Sequence, residues 1–304
     1  MAVLSKNTMF DPVLVSDLIT KVQGKSSLAA LSAQVPIPFN GMKQFTFNMD
    51  SEIDIVAENG KKSAGGLTVQ PVTVIPVKFE YGARISDEYW TASEEEKLDI
   101  LQAFNAGFAS KVARGLDLAA FHGVNPRTGN ASAVIGTNHF DSKVTTTVTY
   151  AAAKADENLE SAITAVQGAN GEVTGLALAT SFGSALGQIK ENGVIQYPEF
   201  RFGGRPSDFH GLSCDVNNTI YDMSGEKDYA IVGDFLNGFK WGYAKEIPVE
   251  IIPYGDPDNT GLDLKGSNQI YIRAEVYLGW GILLPSSFAR IVAAASASTP
   301  SGGG

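Results

Sequence analysis

Residues 43–81 constrain the fold of this chain most, because their pattern predicts strands while their composition supplies no core. Apolar residues recur at every second position in both halves of the segment: Phe45, Phe47 and Met49, then Val72, Val74, Val77 and Phe79. This period predicts a long β-hairpin with strands over 43–57 and 67–81 and one change of phase near Ile75. An isolated two-stranded ribbon is only marginally stable in water. We therefore expect the hairpin to pack against a second copy of the chain.

The tip of the predicted hairpin is polar and rich in glycine. Residues 58–66 read Glu-Asn-Gly-Lys-Lys-Ser-Ala-Gly-Gly, a composition typical of flexible turns. Lysines at a loop tip often serve solubility alone, so their role in contacts between subunits is a hypothesis. The candidate assembly residues lie in the hairpin strands, its tip and the N-terminal arm: Phe45, Phe47, Gly60, Lys61, Lys62, Val72, Val74, Phe79, Leu18 and Ile19.

Residues 1–42 predict an extended N-terminal arm that carries one short helix. Asp11-Pro12 is a favourable helix start, an apolar stripe follows it, and Gly24 ends it. The Pro36-Ile37-Pro38 run then forces extended backbone. Too few apolar residues occur here for an independent core, so we expect the arm to lie over a neighbouring subunit.

Residues 91–122 contain the clearest helix signal in the chain. Ser93 to Glu96 forms a capping box, and its carboxylates suit the positive end of the helix dipole. An apolar face follows at spacings of three and four residues: Leu101, Phe104, Phe108, Val112 and Leu116. Gly123 ends the helix, which is expected to be roughly 45–50 Å long. Gly107 and Gly115 predict places where another segment crosses closely.

The remainder of the chain mixes helix and strand signals, which gives the fold class α+β. Helices are predicted around residues 159–166 and from residue 182 to about residue 193. Strands are predicted at residues 176–179, 229–232, 239–243, 245–254, 269–284 and 287–293. The tail, residues 296–304, is rich in Ser, Gly and Pro, which predicts disorder.

The charge balance argues against a protein that binds nucleic acid tightly. The chain has 23 Lys and Arg against 33 Asp and Glu, for a net charge of −10, whereas nucleic-acid readers concentrate basic residues. A protein that surrounds nucleic acid without gripping it stays compatible with this balance. No secretory signal and no apolar run of about 18 residues occurs, so we expect a soluble cytoplasmic product with no membrane partner. The single cysteine, Cys214, excludes an internal disulfide and predicts a buried thiol.

No residue pattern predicts catalysis or cofactor binding. The three histidines share no metal-ligand spacing, and the phosphate-loop, nucleophile-elbow and dinucleotide motifs are absent. The loop Asp256-Pro257-Asp258-Asn259-Thr260-Gly261 resembles a calcium loop, but Ser267 stands where a bidentate Glu belongs. We therefore assign no catalytic, cofactor-binding or metal residue. A small α/β hydrolase and a β-rich adhesion or tail-fibre module are the weaker alternatives to an assembly protein.

Two C-terminal stretches, together with the order of elements, resemble one known family. Ile231-Val232-Gly233-Asp234-Phe235 followed by Trp241-Gly242 is similar to a Gly-Asp-Phe and Trp-Gly stretch of that family. Arg273 to Trp280 followed by Leu284 to Ala289 is similar to its closing stretch. With an arm, a long hairpin and a long helix in this order, the chain resembles the major capsid proteins of tailed bacteriophages, which have the Hong Kong 97-like fold.

The resemblance implies a division of the chain into named parts. Residues 43–81 would be the E-loop hairpin, and residues 82–123 would carry the spine helix of the peripheral P-domain. Residues 124–243 would form the axial A-domain. Residues 244–284 would supply further P-domain strands, and residues 285–304 the last A-domain strand and the tail.

The same resemblance implies a virion capsid protein, made in the host cytoplasm. Hexamers and pentamers would assemble into an icosahedral shell that encloses double-stranded DNA without specific binding. A portal protein would be a partner, as would a separate scaffolding protein, if one is used, because the arm is short; a decoration protein would be an additional partner. Some relatives form a Lys–Asn crosslink, for which Lys61 or Lys62 would be the donor and Asn259 a conceivable acceptor. An encapsulin-type nanocompartment, which shares the fold, is the alternative function.

Overall fold

The described part of the chain forms two principal β-sheets, one long helix and a projecting two-stranded ribbon. The computed structural model describes residues 21–22, 25–49, 51–91, 94–221, 227–245 and 249–294. Leu18 and Ile19 of the predicted arm helix, the predicted cap at Ser93 and the tail 296–304 lie outside these ranges. No helix within them combines the length and the hydropathy that a bilayer crossing requires.

The ribbon consists of β1 (Met42–Met49) and β2 (Leu67–Val74), which pair antiparallel. Met42 lies opposite Val74 at the base, and Met49 lies opposite Leu67 at the far end. Residues 51–66 connect the strands outside any ladder and are exposed throughout. The predicted hairpin is therefore present, but its paired part is shorter than the alternation suggests.

The prediction that the return strand continues to Tyr81 is wrong beyond Val74. The next strand, β3 (Val77–Ser86), leaves the ribbon and pairs antiparallel with β13 (Gln269–Ile282). Pro76 lies at the break and has no amide hydrogen to donate to a ladder. The change of phase in the sequence thus marks the boundary between the ribbon and the body.

A four-stranded sheet is built around β13. On one side β13 pairs with β3, and on the other side it pairs with β11 (Phe239–Lys245) and β12 (Val249–Ile252), all antiparallel. The predicted strands at residues 245–254 and 269–284 are confirmed as a pair. β11 also joins this sheet, although the sequence groups residues 239–243 with the mixed region before them.

A six-stranded sheet is the other principal sheet of the body. Its strand order is β4 (Thr147–Thr149), β14 (Phe288–Val292), β10 (Asp228–Gly233), β5 (Gly175–Leu178), β9 (Leu212–Val216) and β8 (Asp208–Phe209). The β14–β4 and β5–β9 pairs are parallel, and the other pairs are antiparallel. Its central strands are buried almost throughout, which explains their continuous apolar sequences.

The long predicted helix is present as α3 (Glu94–His122), preceded by a short helix, α2 (Asp87–Thr91). Its later residues Phe108, Val112 and Leu116 are buried in the main core. Gly123 follows the helix with φ +68°, and its amide donates to the carbonyl oxygen of Ala119 at 3.0 Å. This is the glycine cap that the sequence predicts.

The two helix glycines have different surroundings. A Cβ at Gly115 would lie 3.2 Å from the ring of Phe79, so the predicted close crossing is confirmed there. At Gly107 no atom of the described residues lies within 4 Å of the corresponding point, so no described segment of this chain crosses the helix closely there.

Four shorter helices pack around the sheets. They are α1 (Ser27–Leu31), α4 (Phe140–Lys143), α5 (Ala155–Gly168) and α6 (Thr180–Leu186). Helix α5 packs on β14 and β10, and α1 packs on β9 and β5. Helix α6 ends earlier than predicted because β6 (Lys190–Glu191) and β7 (Val194–Ile195) form a tight hairpin after it.

Residues 25–41 pack on the body of their own chain, which corrects, for these residues, the prediction that the arm lies over a neighbour. Leu28 is fully buried in the main core. The amide of Val35 donates to the carbonyl oxygen of Trp241 at 2.8 Å. Residues 25–41 therefore add a short helix and an extended segment to the body.

Gly242 lies where this extended segment crosses β11, and we predict that it accepts no side chain. A Cβ there would lie 1.7 Å from the carbonyl oxygen of Val35, so Gly242→Ala must displace residues 34–38. We expect the free energy of unfolding to fall by about 1–3 kcal/mol, the usual cost of overpacking, as measured by chemical denaturation. Gly266→Ala is the matched control, because its Cβ would meet only the side chain of Asp263, at 3.7 Å. Equal stability of the two variants would contradict this prediction.

Candidate assembly surface

One face of the β1–β2 ribbon is apolar and uncovered. Residues directly opposite each other in an antiparallel ladder share a face, and Met49 lies opposite Leu67. The exposed fraction is 57% for Phe45, 75% for Met49 and 58% for Leu67. We define the apolar ribbon face by the residues Phe45, Met49, Leu67 and Val69. Phe47 occupies the ladder position opposite Val69.

At the base of the ribbon, its opposite face packs against the body. Val74 is buried, and Cβ atoms at Gly279 and Gly281 of β13 would lie only 3.0 and 2.8 Å from its methyl groups. A methyl group of Val72 lies 3.6 Å from the same point above Gly281. These contacts are within one chain, so Val72 and Val74 anchor the ribbon to the body.

Phe79 also packs within the subunit. Its ring centroid lies 6.3 Å from that of Trp280, and the ring touches the long helix at Gly115. Of the candidate assembly residues on the strands, Val74 and Phe79 therefore contribute to the subunit core. Phe45 is brought to the exposed face of the ribbon instead.

The connection between the ribbon strands carries the remaining exposed candidates. The amide of Gly60 donates to the carbonyl oxygen of Ala57 at 2.8 Å, which forms a turn at the tip. Gly60, Lys61 and Lys62 are all exposed there. Ile53 and Ile55 are 92% and 94% exposed and are not among the residues that the sequence predicts for assembly. Their alternation with acidic residues is the signal that could have identified them.

The loop that resembles a calcium site is organised by an arginine. The Arg84 guanidinium lies among the loop carboxylates, 2.7 Å from Asp256 and with its Nε 2.9 Å from Asp258. It also donates to the hydroxyl of Thr260 at 2.6 Å and to the carbonyl oxygen of Leu262 at 3.0 Å. A guanidinium presents several donors in one plane, so it supplies the positive charge and the contacts that a bound cation would supply.

This arrangement has a definite pH dependence. Hydrogen bonding to Arg84 is the main cause that lowers the pKa of Asp258 from 3.8 to about 2. The pKa in the folded chain lies below the unfolded value, so the pair stabilises the loop above about pH 4. That contribution is lost as the pH falls toward 2.

A second charged cluster lies buried where the long helix ends. Arg290 of β14 binds both carboxylate oxygens of Asp228, each at 2.9 Å, and one oxygen of Asp141 at 3.0 Å. His122 approaches Asp141 through Nδ1 at 2.9 Å and the carbonyl oxygen of Thr219 through Nε2 at 3.0 Å.

His122, Asp141 and Asp228 stand close enough together for their ligand atoms to hold a metal ion, a grouping that no spacing in the sequence indicates. Arg290 already engages both carboxylates and would repel a cation. The cluster therefore ties β14 and β10 to the end of α3 and to α4.

Asp117 joins three distant parts of the chain from inside the long helix. It accepts hydrogen bonds from the hydroxyl of Ser26 at 2.5 Å, the amide of Ser27 at 2.9 Å and the hydroxyl of Thr219 at 2.7 Å. Burial raises the pKa of Asp117 to about 6, while these donors act in the opposite direction. The carboxylate thus fastens α1 to α3 within the core.

Cys214 is buried as the sequence predicts. Burial raises the pKa of its thiol to about 12, so the thiolate needed for nucleophilic chemistry does not form near neutral pH.

The described residues thus form a body with its own core and a ribbon whose apolar face this body does not cover. The family model described as "Phage capsid family" matches residues 9–293. The chain belongs to the phage capsid family, and it is a structural major capsid protein of the virion. This match does not favour the encapsulin-type alternative.

Solved structures agree over most of the chain. A chain from Mycobacterium phage Ogopogo is 33% identical, with 89% of this chain and 92% of that chain covered and a TM-score of 0.75. A chain from Gordonia phage Cozz is 24% identical, with 90% and 87% covered and a TM-score of 0.72. The capsid of a native GTA particle shares the fold at 14% identity, with 88% and 90% covered and a TM-score of 0.64. No curated protein matches the chain.

We predict that the order of the 256–262 loop depends on Arg84 and not on a metal ion. Arg84→Ala leaves the loop carboxylates unpaired, so hydrogen exchange at the amides of Thr260 and Gly261 is expected to accelerate at least tenfold. Arg127→Ala, at an exposed arginine in another loop, is the control and leaves exchange unchanged. In the wild-type protein, neither calcium nor a chelator changes the exchange rates. Faster exchange after chelation would contradict the role given to Arg84.

Proposed function

We propose that this capsid protein builds hexamers and pentamers that close an icosahedral shell around double-stranded DNA. The observation that carries the proposal is the apolar ribbon face, which nothing in the described body covers. A ribbon of this length is too exposed to be stable alone, and a neighbouring copy of the chain supplies the missing surface. Closed symmetry among identical chains is the usual route to such assemblies.

The parts of the structure take named roles in this proposal. The β1–β2 ribbon with its connection serves as the E-loop, and α3 serves as the spine helix. The four-stranded sheet around β13 serves as the peripheral P-domain, and the six-stranded sheet with its helices serves as the axial A-domain. The boundaries differ from the sequence-based division, because β3 and β11 lie in the four-stranded sheet.

The charge of the chain supports a container. A net charge of −10 disfavours tight binding to phosphate, so packaged DNA stays mobile inside the shell. The capsid of a native GTA particle, computed with C5 symmetry, shares this fold and supports pentamers among the assembled forms. A portal protein, and scaffolding or decoration proteins where they are used, complete the proposed set of partners. We assign the chain no catalytic step, and host cytoplasm is the proposed place of synthesis.

The tip of the ribbon extends the proposed contact with the neighbouring copy of the chain. Ile53 and Ile55 add apolar surface beyond the paired strands, and Lys61 and Lys62 add positive charge. A covalent bond from one of these lysines to Asn259 stays a hypothesis. Asn259 is exposed in the loop that Arg84 organises, and a ladder of linked chains on a denaturing gel of particles would be its direct sign.

Placing a charge on the apolar ribbon face is expected to block assembly without unfolding the subunit. Phe45→Glu removes burial worth about 1.5–3 kcal/mol per contact, so the yield of closed particles falls at least tenfold by electron microscopy and sedimentation. The stability of the dissociated subunit changes by less than about 0.5 kcal/mol, as for other surface positions. Val134→Glu, at a position 76% exposed on the body, is the control. Normal particles from Phe45→Glu would exclude the bridging role.

Shortening the connection tests the tip separately. Met49 and Leu67 are paired, so residues 50–66 can be replaced by Asn-Gly, which suits a two-residue hairpin turn. We expect folded subunits with the native circular dichroism spectrum and few or no closed particles. Particles of normal yield and heat resistance would show that the ribbon strands suffice without the tip.

A further inference from the structure

A single aromatic residue projects from the body in a strained conformation. Phe202 is 98% exposed and has φ +55° and ψ +32°, the left-handed region that bulky residues rarely adopt. Its neighbour Phe200 is buried in the main core and fixes the start of the segment. Strain of this kind persists where the surrounding structure holds it and is concentrated at functional sites. The chain therefore presents this phenyl ring to solvent against its local preference.

The projection is positively charged. The guanidinium carbon of Arg201 lies 5.0 Å from the centroid of the Phe202 ring, and Arg205 follows on the same short loop. Among the contacts of the described residues, neither arginine forms an ion pair with a carboxylate. We define Arg201, Phe202 and Arg205 as the basic knob.

A cavity of about 340 Å³ lies close to the basic knob and has the opposite character, since the ring of Phe209 in its lining is 5.2 Å from the ring of Phe200, the residue before Arg201. Its floor is apolar and its rim carries Asp156 and Glu160 of α5. The floor residues Leu159, Leu176, Leu186 and Phe209 are buried in the body. We call this feature the acidic cavity. It has room for a phenyl ring together with part of a guanidinium.

The acidic cavity has more carboxylates than cations around it. Burial, followed by Asp156, Glu199 and Glu160, raises the pKa of the Tyr197 hydroxyl, which lines the cavity. The carboxylates of Asp156, Glu199 and Glu160 thus all act on the Tyr197 hydroxyl. In the described part of the chain, Lys154 forms an ion pair with Glu157 and also interacts with the charge of Asp156, while no ion pair involves Glu160.

We propose that the basic knob of one copy inserts into the acidic cavity of the next copy around a ring of capsid subunits. Among the described residues, no ion pair involves Arg201, Arg205 or Glu160, and the knob and the cavity complement each other in charge and in apolar character. The knob and the cavity are different sets of residues, so one copy can use its knob on one neighbour and its cavity on another, as the head-to-tail contacts of a closed ring require. The inference rests on the proposed shell function and names one contact inside its hexamers and pentamers.

Charge reversal tests the pairing of the two surfaces. The variant R201E/R205E and the variant D156R/E160R are each expected to lower the yield of closed particles at least tenfold, by electron microscopy and sedimentation. The chain carrying all four changes restores complementary charges between copies, and its yield returns to within about threefold of the wild type. Normal assembly of both double variants overturns the proposal. A defect that the four-fold variant does not repair also overturns it, and indicates a different partner for the arginines, such as nucleic acid.

Phe202→Gly separates assembly from folding. Glycine adopts the left-handed conformation freely, so the thermal midpoint of the dissociated subunit is expected to stay the same or rise. Particle yield is expected to fall at least tenfold, because the ring is lost from the contact. A fall in the subunit midpoint together with normal particles would show that Phe202 serves only the fold of its own chain.

Cysteine crosslinking measures the contact directly. The only native cysteine, Cys214, is buried, so a chain with Phe202→Cys and Glu160→Cys is expected to give a ladder of disulfide-linked chains when particles are oxidised. Each single variant gives no ladder beyond dimers. If wild-type chains form particles but the paired variant gives no ladder, the knob contact fails while the shell function stands. If wild-type chains never form particles, the shell function itself fails.

Discussion

The structure depends on glycines in two strands, β11 and β13. Other segments of the chain pack directly against the backbone of these strands. Gly242 of β11 admits the backbone of Val35, and Gly279 and Gly281 of β13 admit the methyl groups of Val74. Because glycine has no Cβ, the N-terminal segment and the base of the ribbon both pack directly against the four-stranded sheet. The direction in which the ribbon leaves the body is therefore set by core contacts, although the ribbon itself is exposed.

Buried polar groups connect parts of the chain that are far apart in sequence. Asp117 joins α1 to α3 and to Thr219, and Arg290 joins β14 to β10 and α4. Each of these charged groups has several partners, as a buried charge requires. Such networks contribute to a single arrangement of the body more than to its net stability, and a rigid body is what an exposed ribbon needs if it is to meet a neighbour at a fixed place.

The sequence predicted the elements well because their signals are local. The alternation around Phe45, the apolar stripe through Phe108 to Leu116 and the glycine cap at Gly123 follow directly from strand and helix geometry. The end of the ribbon was misplaced because β2 and β3 both alternate with period two, and only pairing with the distant β13 separates them. Three features are not predictable, since each depends on residues far away in sequence. They are the packing of Val74 and Phe79 in the core, the contacts of Arg84 with the 256–262 loop, and the grouping around His122.

The loop around Arg84 has a consequence for the conditions in which a shell can persist. A calcium ion leaves its site when the free concentration falls below its dissociation constant, but a side chain tethered to the same polypeptide has a fixed effective concentration at its site. Occupancy of this loop by the Arg84 guanidinium is therefore independent of dilution and of chelation. Arg84 of β3 thus acts as a built-in counter-ion for the carboxylates of Asp256 and Asp258.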